Sequence, residues 1–154
     1  MKGPGGAGGP RLVLGASFGI LAGAGAVTFA AGEGLSYFSD DPKACANCHV
    51  MGEAWDGWQK SAHHGRATCN DCHLPRAWLP RIAAKAENGY RHSRAFTFQD
   101  YLEPLRIRPR NREILNANCR ECHRDLVEGI PSGGEEEPLD CARCHRDAGH
   151  GARR

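Results

Sequence analysis

Four times in this chain two cysteines stand three positions apart with a histidine directly after the second. The motifs are Cys45-Ala-Asn-Cys48-His49, Cys69-Asn-Asp-Cys72-His73, Cys119-Arg-Glu-Cys122-His123 and Cys141-Ala-Arg-Cys144-His145. They use all eight cysteines and half of the eight histidines. Thiols at this spacing can add to the two vinyl groups of one haem, and the next imidazole then lies over the iron as its proximal ligand. Zinc or a disulfide framework would also use paired cysteines, but neither asks for a histidine after every second one. At this histidine frequency, four such coincidences have a chance on the order of 10⁻⁵. The pattern reads as attachment of four covalently bound haem c groups.

Ligands for the far side of each iron must come from histidines outside the motifs, which are His63, His64, His92 and His150. His63 and His64 are neighbours whose side chains diverge in helix or strand, so they do not serve one iron from one side. At least one haem is therefore expected to be open, weakly capped or completed by another protein, unless the two neighbours serve different haems. Met51 follows two residues after His49, and no other motif has a methionine there. The Cys48 tether keeps this stretch on one face of the porphyrin, so Met51 can replace His49 but not oppose it. A thioether favours ferrous iron and raises the potential. On the residues alone, Met51 either takes that place or packs on the porphyrin edge.

The elements that position these groups divide the 154 residues into a tail, a span and a haem domain. Residues 1–11 form a Gly- and Pro-rich tail, with residues 1–10 expected to lack fixed structure. Residues 12–31 carry no charge and would extend roughly 30 Å as a helix, which is one bilayer crossing. A cleavable secretory signal is the rival reading, with a cut near Ala30 and Ala31, but its apolar core usually runs only about 7 to 15 residues. Lys2 and Arg11 before the span, against Glu33, Asp40 and Asp41 after it, place the N-terminus in the cytoplasm and the rest in the periplasm. Gly15, Gly19 and Gly23 share one helix face, where a second copy could approach closely, or they merely belong to a Gly- and Ala-rich span.

Residues 32–154 must hold four haems in roughly 120 residues, too few for a separate apolar core around each, so the haems themselves are the core. The expected fold class is mainly α with little regular structure and no substantial sheet, because no segment alternates apolar and polar residues for long. Residues 129–138 read as a solvated connection. A helix is expected over Leu79–Tyr90, with Leu79, Ile82, Ala83, Ala86 and Tyr90 as an apolar stripe. Arg76, Arg81, Lys85, Arg91 and Arg94 flank it, and Trp78 sits beside it. That mixture suits either the headgroup layer of a membrane or a helix packed on haem with its charges in water. Lys85 and His92, seven apart, would share a face if the helix survives Gly89, and near a haem they could take up quinol protons; a surface lysine is the plainer reading of Lys85. The net charge of +2 is too mild to suggest nucleic acid.

Taken together, these features resemble the NapC/NirT/NrfH family of membrane-anchored multihaem quinol dehydrogenases, and most closely its NrfH branch, over about residues 12–151. The marks are Ser39-Asp-Asp-Pro-Lys-Ala-Cys45 through Met51, Trp58-Gln-Lys-Ser-Ala-His63, Lys85-Ala-Glu-Asn-Gly-Tyr-Arg-His92, and Cys144-His145 followed by His150-Gly151. The resemblance implies Met51 rather than His49 as axial ligand of haem 1. It implies His73, His123 and His145 as proximal ligands and His63 and His150 as distal ones. Lys85 matches a lysine beside the quinol site, and His92 falls where relatives carry a carboxylate or histidine near the open face of haem 1. His64 has no clear counterpart. Menaquinol as donor and a pentahaem cytochrome c nitrite reductase catalytic subunit as acceptor, forming ammonium from nitrite, are implied in the same way. A NapC-like donor to another terminal reductase is the alternative, and a haem enzyme acting itself on a small nitrogen oxide is a more distant one.

Overall fold

The computed structural model describes residues 8–130 and 139–151, and every regular element among them is helical. The chain divides into two units, one ending at Ser39 and one beginning at Asp40. In the first, helix α1 (Gly8–Ala31) starts four residues before the expected Leu12. Gly8, Gly9, Pro10 and Arg11 enter its first turn, where the missing N–H of Pro10 costs no intrahelical bond. Residues 1–7 of the expected tail lie outside the described residues. The 24 residues of α1 extend about 36 Å and are apolar enough to cross a membrane. Leu12, Phe18, Ile20, Leu21 and Phe29 are all exposed, as suits a helix surrounded by lipid. Space is open beside Gly15, Gly19 and Gly23. The helix gives way at Glu33, whose φ of 50° is left-handed, to a 3-10 turn over Gly34–Phe38.

The second unit contains α2 (Lys43–Ala46), α3 (Gly52–Gln59), α4 (Cys69–His73), α5 (Trp78–Phe98), α6 (Pro109–Cys122), α7 (Arg124–Val127) and α8 (Cys141–Cys144). Helix α5 is longer than the expected Leu79–Tyr90. It tolerates Pro80 in its first turn, runs through Gly89, and stops at Gln99, whose φ is 55°. Beyond Gly89 the i,i+4 pair of Glu87 and Arg91, 2.9 Å apart, supports the extension. Glu87 also meets Arg108 and Arg110, which bind the start of α6 to α5. The apolar stripe of Leu79, Ile82 and Tyr90 faces outward; the side that packs inward is that of Ala84. Residues 131–138, most of the expected connection, lie outside the described residues.

Among the described residues only two apolar side chains are buried, Leu74 at 5% exposure and Ala84 at 3%. A unit of this length ordinarily buries many more. The other buried residues are Asn70, Asn116 and Asn118, each beside a Cys-x-x-Cys motif or within one. Asn118 Nδ2 donates to the carbonyls of Cys72 at 3.0 Å and Leu74 at 2.9 Å, so the second motif is fastened to the third. Asn116 donates to Asp140 Oδ1 at 2.8 Å and accepts from the Ala142 N–H at 3.1 Å, fastening the third motif to the fourth. Arg112 Nε reaches both oxygens of Asp140 at 3.0 Å. Helix α4 has its own cap: Thr68 and Asp71 form a reciprocal capping box, which also holds the Asp71 carboxyl below its usual range.

Asparagine amides thus take the place that apolar contacts have in larger cores. Asn118→Ala leaves two carbonyls without a donor, a loss of about 2–4 kcal/mol. In denaturant titration of the haem-loaded protein the midpoint should fall clearly below wild type; an unchanged midpoint would deny Asn118 this bracing role.

Candidate haem site

Cysteines at i and i+3 of a helix lie on one side of it. Three motifs take that form: α4 carries Cys69, Cys72 and His73, the last turn of α6 carries Cys119 and Cys122, and α8 carries Cys141 and Cys144. The first motif departs from it. Helix α2 ends at Ala46, Cys48 is extended, and a 3-10 turn over His49–Met51 follows. This leaves His49 exposed and Met51 half-buried. None of the eight cysteines is paired with another in a disulfide. Among the described residues, no three or more His, Cys, Asp or Glu side chains converge on one point that could hold a metal ion.

Histidines from distant parts of the chain meet in two pairs. His73 faces His150 with ring centres 5.9 Å apart, and His63 faces His123 at 6.1 Å. Two imidazoles binding one metal from opposite sides, each at a bond of about 2.0 Å, have centres about 6 Å apart. The two rings from outside the motifs are also oriented. His63 Nδ1 lies 2.9 Å from the Ala148 carbonyl, and His150 Nδ1 lies 2.9 Å from the Ala54 carbonyl. An Nδ1–H donated to a carbonyl leaves Nε2 with the lone pair that a metal needs. Burial first, and the facing His150 second, push the pKa of His73 down to about 4, so its ring is neutral at pH 7. The residues fit iron bound by paired imidazoles.

The delivery of His150 depends on Gly57 in α3. A Cβ at that position would lie 1.8 Å from the His150 carbonyl oxygen and 2.6 Å from its carbon, so only glycine admits the backbone there. His64 takes a different path and packs edge-on against Trp58 at 4.7 Å. His145 and His49 have no histidine ring opposite them among the described residues, and both are exposed.

Lys85 and His92 do lie on one unbroken helix. Lys85 is 14% exposed and its Nζ donates to Asp40 Oδ1 at 3.1 Å. The same oxygen accepts from Arg81 at 2.7 Å and from Asn70 Nδ2 at 2.8 Å. Hydrogen bonds from Arg81 first, then Lys85, hold the Asp40 carboxyl at a pKa of about 2. The Cys45 and Cys69 side chains lie within hydrogen-bonding reach of each other, and Lys85 is close enough to Cys45 to act on it electrostatically. Lys85 therefore lies near the first motif, and the first motif lies against the second. His92 is exposed by surface area, yet enough protein surrounds its ring for desolvation to lower its pKa. Asn70, Asn116, Asn118 and Gly57 were not singled out by sequence, and Asp40 was read there only as a charge after the span and as part of a family mark. Only the Thr68–Asp71 box, a Thr-x-x-Asp spacing, had a local signal.

Residues 10–153 match the NapC/NirT cytochrome c family, N-terminal region. The cytochrome c-type protein NrfH of Wolinella succinogenes is 42% identical over 97 residues, which is 62% of this chain but only 55% of that protein. The cytochrome c nitrite reductase subunit NrfH of Nitratidesulfovibrio vulgaris is 31% identical over 141 residues, 91% of this chain and 83% of that one. Among solved structures, the chain is similar to one from the crystal structure of the cytochrome c nitrite reductase NrfHA complex bound to the HQNO inhibitor. The TM-score is 0.62 at 28% identity, covering 92% of this chain and 90% of the other. With paired cysteines compatible with four haems and a family match that runs nearly end to end, this chain belongs to the NapC/NirT cytochrome c family.

Proposed function

We propose that this chain is an NrfH-type quinol dehydrogenase. It oxidises menaquinol at the outer face of the cytoplasmic membrane and passes the electrons, by way of four covalently bound haem c groups, to a pentahaem nitrite reductase that forms ammonium. The observation that carries this reading is the half-buried Lys85 held beside the first motif, the one motif whose backbone turns methionine inward and histidine outward. Similarity to two NrfH proteins and to a chain of the inhibitor-bound NrfHA complex supports it. Helix α1 is the single-pass anchor, with Lys2 and Arg11 on the cytoplasmic side.

Haem c, when bound, supplies the one-electron redox chemistry. The protein supplies ligands and handles protons. His73 with His150 would hold one iron and His63 with His123 a second. Met51 would offer its thioether to the first iron in place of His49. His145 would be the proximal ligand of the fourth. Lys85 Nζ hydrogen-bonds a quinol oxygen, and His92, two turns along the same face, accepts one of the two protons that the quinol loses with its two electrons, the other passing to water. Desolvation lowers the His92 pKa and so favours the neutral ring.

The direct test mixes a reduced menaquinol analogue with the detergent-solubilised, haem-loaded chain and follows haem absorbance. Wild type should be reduced rapidly without any reductase, Lys85→Ala about tenfold more slowly, and Met51→Ala should disturb the first haem to respond. Intact haems that quinol cannot reduce would make the chain a carrier fed by another protein. Gly57→Ala should drive His150 from its place and convert one haem from low to high spin in electron paramagnetic resonance, with all four haems still attached. An unaltered spectrum would remove His150 from the ligand set.

A further inference from the structure

We infer that Asp40 is a positioning residue of the quinol site, holding Lys85 Nζ at the point where a quinol oxygen meets it. The inference rests on the reading of Lys85 given above and extends it. A lysine ammonium rides on a flexible four-carbon stem, so its use in a binding site requires something to fix it. Here the fixing group is a single carboxylate oxygen on which three donors converge: Lys85 Nζ at 3.1 Å, Arg81 at 2.7 Å and Asn70 Nδ2 at 2.8 Å.

Each donor ties Asp40 to a different part of the site. Asn70 is buried and lies inside the second motif, between Cys69 and Cys72. Arg81 and Lys85 stand one turn apart on α5. Asp40 itself comes five residues before Cys45 of the first motif. The carboxylate thus registers the lysine against both motifs. Asp40 is also far more exposed than its partner, with 64% of its side chain accessible against 14% for Lys85. Its charge compensates the ammonium that it holds. An asparagine at position 40 would keep the shape and lose the charge that grips both cations.

The test measures binding of the HQNO inhibitor to the haem-loaded chain by fluorescence quenching, with haem content determined alongside. Lys85→Ala and Asp40→Asn should each weaken binding about tenfold, and the double variant should be no weaker than Lys85→Ala alone, because one substitution acts through the other. Asp40→Glu, which keeps the charge on a longer stem, should recover part of the loss and is the variant to read if Asp40→Asn fails to load haem. Losses that add in the double variant, or unchanged binding by Asp40→Asn, overturn the role of Asp40 while leaving Lys85 in the site. Unchanged binding by Lys85→Ala removes the lysine itself, and with it the reason for its holder.

Discussion

Two hydrogen bonds, from the His150 ring to the Ala54 carbonyl and from the His63 ring to the Ala148 carbonyl, join the end of the described chain to the segment around α3. They are reciprocal: each segment supplies a histidine and each supplies the carbonyl that orients the other's. Both rings are thereby brought opposite a motif histidine, His150 to His73 and His63 to His123. Without them, residues 85 or more apart in sequence would have little reason to meet, because so few apolar side chains are buried between them. Closing such long loops costs entropy. Iron ligation across the closed pairs would offset that cost, since binding energy at a site absent from the unfolded chain is folding energy.

The asparagines complete the same scheme. Asn70, Asn116 and Asn118 hold the motifs in a series, with Asp40 linking the second motif to α5 and Asp140 linking the third to the fourth. Buried polar side chains are costly when half satisfied, and among the described residues no buried side-chain nitrogen or oxygen is left without a partner. Such brackets specify orientation in a way that apolar contacts would not, and groups that exchange electrons need defined orientation.

How much of this could be read from the sequence depended on whether the signal was local. The Cys-x-x-Cys-His spacings, the uncharged run that became α1 and the all-helical character are short-range patterns, and they carried through. The end of α5 did not, because Gly89 and the close of the apolar stripe at Tyr90 suggested a stop, whereas the helix runs on to Phe98 with the Glu87–Arg91 pair bridging Gly89. His63 and His150 could be chosen as ligands only through family resemblance; nothing local indicates which motif histidine each one faces. Gly57 is unreadable in principle, since its reason is a backbone that returns from 93 positions away. Asp40 and Asn70 look like ordinary polar residues until folding brings them together.

The measurement closest to the centre of this account is near-infrared magnetic circular dichroism of the isolated, oxidised, haem-loaded chain, which separates iron held by two imidazoles from iron held by a thioether. The pairing of His73 with His150 and of His63 with His123 predicts two bis-imidazole haems in wild type and one in either His63→Ala or His150→Ala. A wild-type spectrum lacking bis-imidazole iron, or one that neither substitution changes, would contradict it.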